Sequence, residues 1–169
     1  YEDFHAAACR VVEKISEACA RCGRSERDVS LMAVTKTHPV EAAHHAARFG
    51  LKSVGENRVQ EACEKIPLGP PGLRWELIGH LQSNKARLAV RWFDRIQSVD
   101  SEKLVRALQR EAAAIGKILP ILLQVNSGND PAKFGIDRED APGLIEGALE
   151  QPNLRVEGLM TIAPLSEDS

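Results

Sequence analysis

Lys36 stands at the end of an apolar run, VSLMAVTK, and is followed directly by Thr37 and His38. A lysine at the edge of an apolar environment loses solvation of its ammonium, which lowers its pKa and makes it a nucleophile toward carbonyl carbon. That chemistry is Schiff-base formation. The competing assignment is an ion pair with Glu56, which ends the next apolar run, because structural ion pairs occupy such positions as well. His80, in IGHLQSNK, is suited to moving a proton or to a hydrogen bond with the backbone. Asn57 is suited to a ligand oxygen or to capping the helix after it. Lys133, in NDPAKFGID, could meet a phosphate, although a solvated lysine is the simpler assignment. Asp94 and Asp100 read as ordinary residues at element ends.

These side chains matter together only if the elements deliver them to one place. Residues 4–22 carry Phe4, Ala8, Val11, Val12, Ile15 and Cys19 at helical spacing, with Gly23 as the stop signal. Strands are expected over 29–36, 52–57, 74–80, 93–100, 118–126 and 154–162. Helices are expected between them, over 39–49, 58–66, 82–91, 101–116 and 141–151. Ser101 is placed to cap the helix it precedes. PLGPPG (67–72) reads as a loop, and so do the last residues, APLSEDS. Alternation of β and α implies a mostly parallel sheet, either open and doubly wound or closed as a (β/α)8 barrel. No GxGxxG follows the first strand, which weakens the dinucleotide-binding version. In either closure the active site lies at the carboxyl ends of the strands. Those ends carry Lys36, Asn57, His80, Asp100, Asn126 and the pair Met160 and Thr161.

The composition removes other functions. The 169 residues are 43% hydrophobic and 27% charged, with a net charge of −2, which suits one globular domain and gives no basic surface for nucleic acid. No apolar run approaches the roughly 20 residues of a membrane span. The N-terminus, YEDFHAAACR, is not a secretory leader, so a cytoplasmic protein is expected. Cys19 and Cys22 form a CxxC, but it closes a helix instead of opening one after a strand. Its spacing to His5 and Cys9 fits no standard zinc site, so reduced cysteines are the expectation.

AVTKTHP, VGENRVQE, WELIGHLQSNKAR, QVNSGNDPAKFGID and VEGLMTIAP occur in this order. Together they resemble the PLP homeostasis protein family (YggS-like), whose fold is the N-terminal barrel of alanine racemase. The resemblance runs from about residue 4 to the end of the chain, and GENRVQE with IGHLQSNK is its most specific part. It implies a (β/α)8 TIM-type barrel of the alanine racemase N-terminal type, here with about six of eight strands. It also implies pyridoxal 5′-phosphate (PLP) as cofactor, held as a Schiff base on Lys36, with Asn57, His80, Met160 and Thr161 near it.

The function implied is intracellular PLP (vitamin B6) homeostasis by a carrier or regulator without robust turnover. PLP-dependent enzymes would be the recipients, and the full-length protein is expected to be a monomer. A low-activity amino-acid racemase is the alternative, and a PLP-independent class I aldolase a third. Family members continue past the sixth strand, with a Ser-Met-Gly-Met-Ser-like and a Gly-Ser-Thr-x-Val-Arg-x-Gly-like segment that bind phosphate and face the pyridine nitrogen. Residues 1–169 are therefore expected to form a single PLP-binding barrel domain, truncated at its C-terminus.

Overall fold

A computed structural model describes residues 1–128, 130 and 132–163. The elements follow one another as α1 (Glu2–Cys22), β1 (Ala33–Val34), α2 (Glu41–Phe49), β2 (Ser53–Glu56), α3 (Val59–Lys65) and β3 (Arg74–Leu77). Then come α4 (Ala86–Trp92), β4 (Arg95–Val99), α5 (Glu102–Ala114), β5 (Leu119–Gln124), α6 (Ala141–Leu149) and β6 (Leu154–Met160). The six strands form one sheet in sequence order, and every neighbouring pair is parallel. All six carboxyl ends therefore share one rim, as a parallel β/α alternation requires.

The helices form where the sequence alternates apolar and polar residues at helical spacing. Ser101 caps α5 as expected, its hydroxyl accepting the Leu104 N–H at 3.4 Å. Leu104, Val105, Leu108 and Ala112 of that helix are buried. They join Trp75, Leu77, Phe93, Ile96, Ile121 and Leu123 in the layer between sheet and helices. Burying each of the large side chains contributes about 1.5–3 kcal/mol, an upper figure because the unfolded chain already hides some of this surface.

Element bounds differ from the sequence expectation at the rim. The first strand is two residues long instead of eight, because its backbone pairs with β2 only at Ala33 and Val34. Lys36 thus lies past the strand, in a turn. Asn57 and His80 also stand just beyond β2 and β3. The expected helix over 82–91 begins as a 3₁₀ turn, Ser83–Lys85, before α4. Of the tail APLSEDS, residues 164–169 lie outside the described residues.

The inner face of the sheet carries a polar layer. Glu76 on β3 accepts from Arg95 Nε at 2.7 Å and from Gln97 Nε2 at 2.6 Å, both on β4. Arg95 also donates to Glu157 on β6 at 3.0 Å. Gln97 Nε2 lies 3.8 Å from the sulfur of Met32, which immediately precedes β1. In a flat sheet β1 and β4 would be about 14 Å apart. The contact requires the sheet to curl, so the six strands form an arc of a barrel. No helix among the described residues is long and apolar enough to cross a membrane.

Candidate cofactor site

Lys36 occupies the second position of a tight turn, Thr35–His38, closed by the His38 N–H donating to the Thr35 carbonyl at 3.1 Å. Thr37, the third position, has φ 63°. Turns with a positive φ at that position ordinarily use glycine. A β-branched residue there is a backbone outlier, and such strain costs of order 1–3 kcal/mol and persists only where the surroundings impose it.

The surroundings do impose it, through an acid–base cluster on α3 and β2. Buried Glu56 accepts from the Thr35 hydroxyl at 2.7 Å and from Lys65 Nζ at 3.0 Å. Lys65 also donates to the Thr35 carbonyl at 3.0 Å and to Glu61 at 2.5 Å. Glu61 in turn accepts the Thr37 N–H at 2.8 Å. The turn is therefore gripped on both sides of Lys36.

The ion pair between Lys36 and Glu56 considered from sequence does not form. The end of the strand explains why: Thr35 and Glu56 meet Lys65 from α3, while Lys36 already stands in the turn beyond β1. Lys36 is exposed, and among the described residues its ammonium has neither a hydrogen-bond nor an ion-pair partner. The desolvation expected from sequence is absent, since the strand ends before Lys36 and the side chain stands clear of the apolar layer.

Glu61 and Lys65 are each held in the charged form. The Lys65 hydrogen bond holds the Glu61 carboxyl below the usual range, against the opposing effect of burial and with help from the Thr37 N–H. Burial alone would depress Lys65, but its bonds to Glu61 and Glu56 outweigh that and hold the ammonium above the usual range. In the inner layer burial would raise Glu157, yet Arg155 and Arg95 hold it low. A depressed carboxyl contributes stability above its unfolded pKa and loses it as pH falls through the folded pKa. A raised lysine contributes stability below its unfolded pKa and loses it as pH rises through the folded one. The thermal midpoint is expected to fall on acidification below the ordinary carboxylate range, and again at alkaline pH above the ordinary lysine range. In a pH series of melting curves, Glu61→Gln should show a shallower acid limb than the wild type.

His80 is exposed and meets neither assignment made for it in full. Its Nδ1 lies 3.2 Å from Asp100 Oδ2, and its ring stacks on Phe134, with centroids 3.8 Å apart and planes at 9°. Asp100, read as an ordinary end residue, and Phe134 are the site residues that sequence reasoning missed. The chain places Phe134 through two features. Gln124 Nε2 donates to the Phe134 carbonyl at 3.0 Å. Gly135, at φ 125°, lets the loop press against β5, where a Cβ would come within 2.6 Å of the Asn126 nitrogen.

Asn57 does not cap α3, whose first turn has no side-chain cap. It shares a rim hollow with His80, Arg58, Gln60, Gln82 and Lys85. Gly79 makes this possible, because its missing side chain admits the Asn57 backbone: a Cβ there would lie 2.2 Å from the Asn57 carbonyl oxygen. Met160 and Thr161 end β6, at the other edge of the sheet. The Met160 carbonyl accepts from the Val125 N–H at 2.9 Å. The Thr161 hydroxyl donates to the Val125 carbonyl at 2.9 Å and meets the Ser127 hydroxyl at 2.8 Å. Lys133 is half-buried, donates to the Ala163 carbonyl at 2.9 Å and lies 3.7 Å from the Asp130 carboxylate. The structure thus brings Asn57 and His80 together, sets Lys36 in the turn after the adjoining strand, and leaves Met160 and Thr161 across the rim.

A parallel arc of six strands with helices between them defines a partial (β/α)-barrel domain. Residues 11–169 match the family described as "Alanine racemase, N-terminal domain". Within that class the chain belongs to the pyridoxal phosphate homeostasis protein family. The protein of that name from Escherichia coli is 40% identical over 163 residues, covering 94% of this chain and 70% of its own length. A crystal structure from Bifidobacterium adolescentis superposes with a TM-score of 0.90 at 30% identity, over 99% of this chain and 72% of that one. PipY of Synechococcus elongatus with PLP bound matches with a TM-score of 0.76 at 38% identity, over 90% of this chain and 71% of that one.

Proposed function

We propose that this protein binds PLP through a Schiff base on Lys36 and acts in intracellular PLP homeostasis as a carrier or regulator. The observation that carries the reading is the Lys36 amine itself. It is exposed at the carboxyl rim, has no ionic partner among the described residues, and sits on a turn held in a strained form. That donor set fits an aldehyde. Bound PLP supplies a carbonyl carbon that condenses with the amine and releases water, giving a reversible covalent hold. An amine already paired with Glu56 would have to break that pair first, and here Lys65 takes the carboxylate instead.

Asn57, His80, Met160 and Thr161 are the further residues assigned to the cofactor's surroundings. Asn57 offers a side-chain amide to a ligand oxygen. His80 presents an imidazole whose orientation is fixed by Asp100 and Phe134, so it can hold or pass a proton at Nε2. The finer parts of the same reading are a single cofactor-binding barrel domain, a monomer, a cytoplasmic location, and PLP-dependent enzymes as recipients of the cofactor. The test is spectroscopic. Incubation with PLP is expected to give a visible-region imine absorbance that borohydride removes. Lys36→Ala is expected to lose that absorbance with its melting temperature unchanged. An imine of undiminished intensity in Lys36→Ala would overturn the assignment.

A further inference from the structure

The Glu56–Lys65–Glu61 cluster is more elaborate than the stability of α3 requires. An i,i+4 pair on a helix needs only opposite charges at the right spacing. Here Glu61 also leaves its own helix to accept the Thr37 N–H at 2.8 Å, and Lys65 reaches the Thr35 carbonyl at 3.0 Å. Thr35 and Thr37 are the two neighbours of Lys36, and Thr37 is the described non-glycine residue with positive φ. We infer that Glu61 is a positioning residue for Lys36: through the Thr37 N–H it holds the strained turn that presents the Lys36 amine at the rim. Lys65 donates to the same Glu61 oxygen that accepts the Thr37 N–H, and Glu56 fixes Lys65 through a side chain that is fully buried. Strain of this kind relaxes unless neighbouring groups hold it. Without the Glu61 contact, the turn is free to leave φ 63°, and the amine loses its preset place.

This inference rests on the Schiff-base reading of Lys36. Two substitutions separate positioning from simple ion pairing. Glu61→Gln keeps the length of the side chain and an oxygen that accepts the Thr37 N–H, but removes the charge. Glu61→Asp keeps the charge but draws the carboxylate back by about 1.5 Å, out of reach of that N–H. The measurement is the apparent Kd of the intact protein for PLP, from imine absorbance, at a temperature where melting curves show each variant folded.

Glu61→Gln is expected to bind within about twofold of the wild type. Glu61→Asp is expected to bind about tenfold more weakly, which corresponds to about 1.4 kcal/mol. If Glu61→Asp binds as tightly as Glu61→Gln or more tightly, the positioning role is wrong and the cluster is structural. A wild type that forms no imine would instead sink the Schiff-base reading beneath it, so the two failures are distinguishable.

Discussion

Replacing Lys65 by methionine is expected to destabilise the fold by about 3–5 kcal/mol, the usual result of removing one partner from a buried ion pair. Glu56 is fully buried, and one of its oxygens has no partner among the described residues. The other accepts from Thr35 and Lys65. Without the ammonium, a carboxylate would remain in the layer between sheet and helices with one hydroxyl for compensation. For a domain of this size the loss should lower the thermal midpoint by about 6–20 °C. A double variant, Lys65→Met with Glu56→Gln, should recover much of it, because the uncompensated charge goes with the partner. Denaturant titration of the single and double variants checks both statements. A single variant within about 0.5 kcal/mol of the wild type would mean that Glu56 finds solvent or another partner.

The second large effect falls on Gly79. A methyl group there would meet the Asn57 carbonyl oxygen at 2.2 Å and its Cα at 2.7 Å, and both are backbone atoms that cannot rotate away. Gly79→Ala must therefore push the ends of β2 and β3 apart. Overpacking costs about 1–3 kcal/mol in flexible surroundings, and the upper end is expected here. The displacement also moves Asn57 and His80, so PLP binding should weaken more than stability alone explains. Gly147→Ala is the control: it lies on α6 with open space around it and should stabilise slightly. Melting curves and imine titrations on the two variants would separate a site effect from a general one.

The sequence was most legible where periodicity and punctuation agree. The β/α alternation, the parallel order and the cap at Ser101 could all be read, because each depends on residues close together in the chain. The same holds for Lys36, Asn57 and His80 reaching one rim, which follows from topology alone. What could not be read depends on partners distant in sequence. The sequence makes Glu56 a partner for Lys36 because both follow apolar runs, but β1 stops before Lys36 and Lys65 from α3 takes Glu56. Asp100 looked ordinary because nothing nearby in the chain reveals its contact with His80, twenty residues earlier. Phe134 lies within QVNSGNDPAKFGID, yet its stacking on His80 depends on a loop fold set by Gln124 and Gly135. The length of β1 was misjudged because an apolar run shows strand propensity and says nothing of where the neighbouring strand stops pairing. The one local clue to the strained turn was Thr37 itself, a β-branched residue where the turn would ordinarily take glycine.

On the proposed function, the Lys36 amine is the group that holds the cofactor. The most direct measurement is mass spectrometry of the intact protein after incubation with PLP and borohydride reduction, followed by peptide mapping. One reduced pyridoxyl-phosphate group per chain is expected, confined to the peptide that contains Lys36. A label spread over several lysines, or located on Lys65, Lys85 or Lys133 with Lys36 unmodified, would show that Lys36 is not the cofactor lysine.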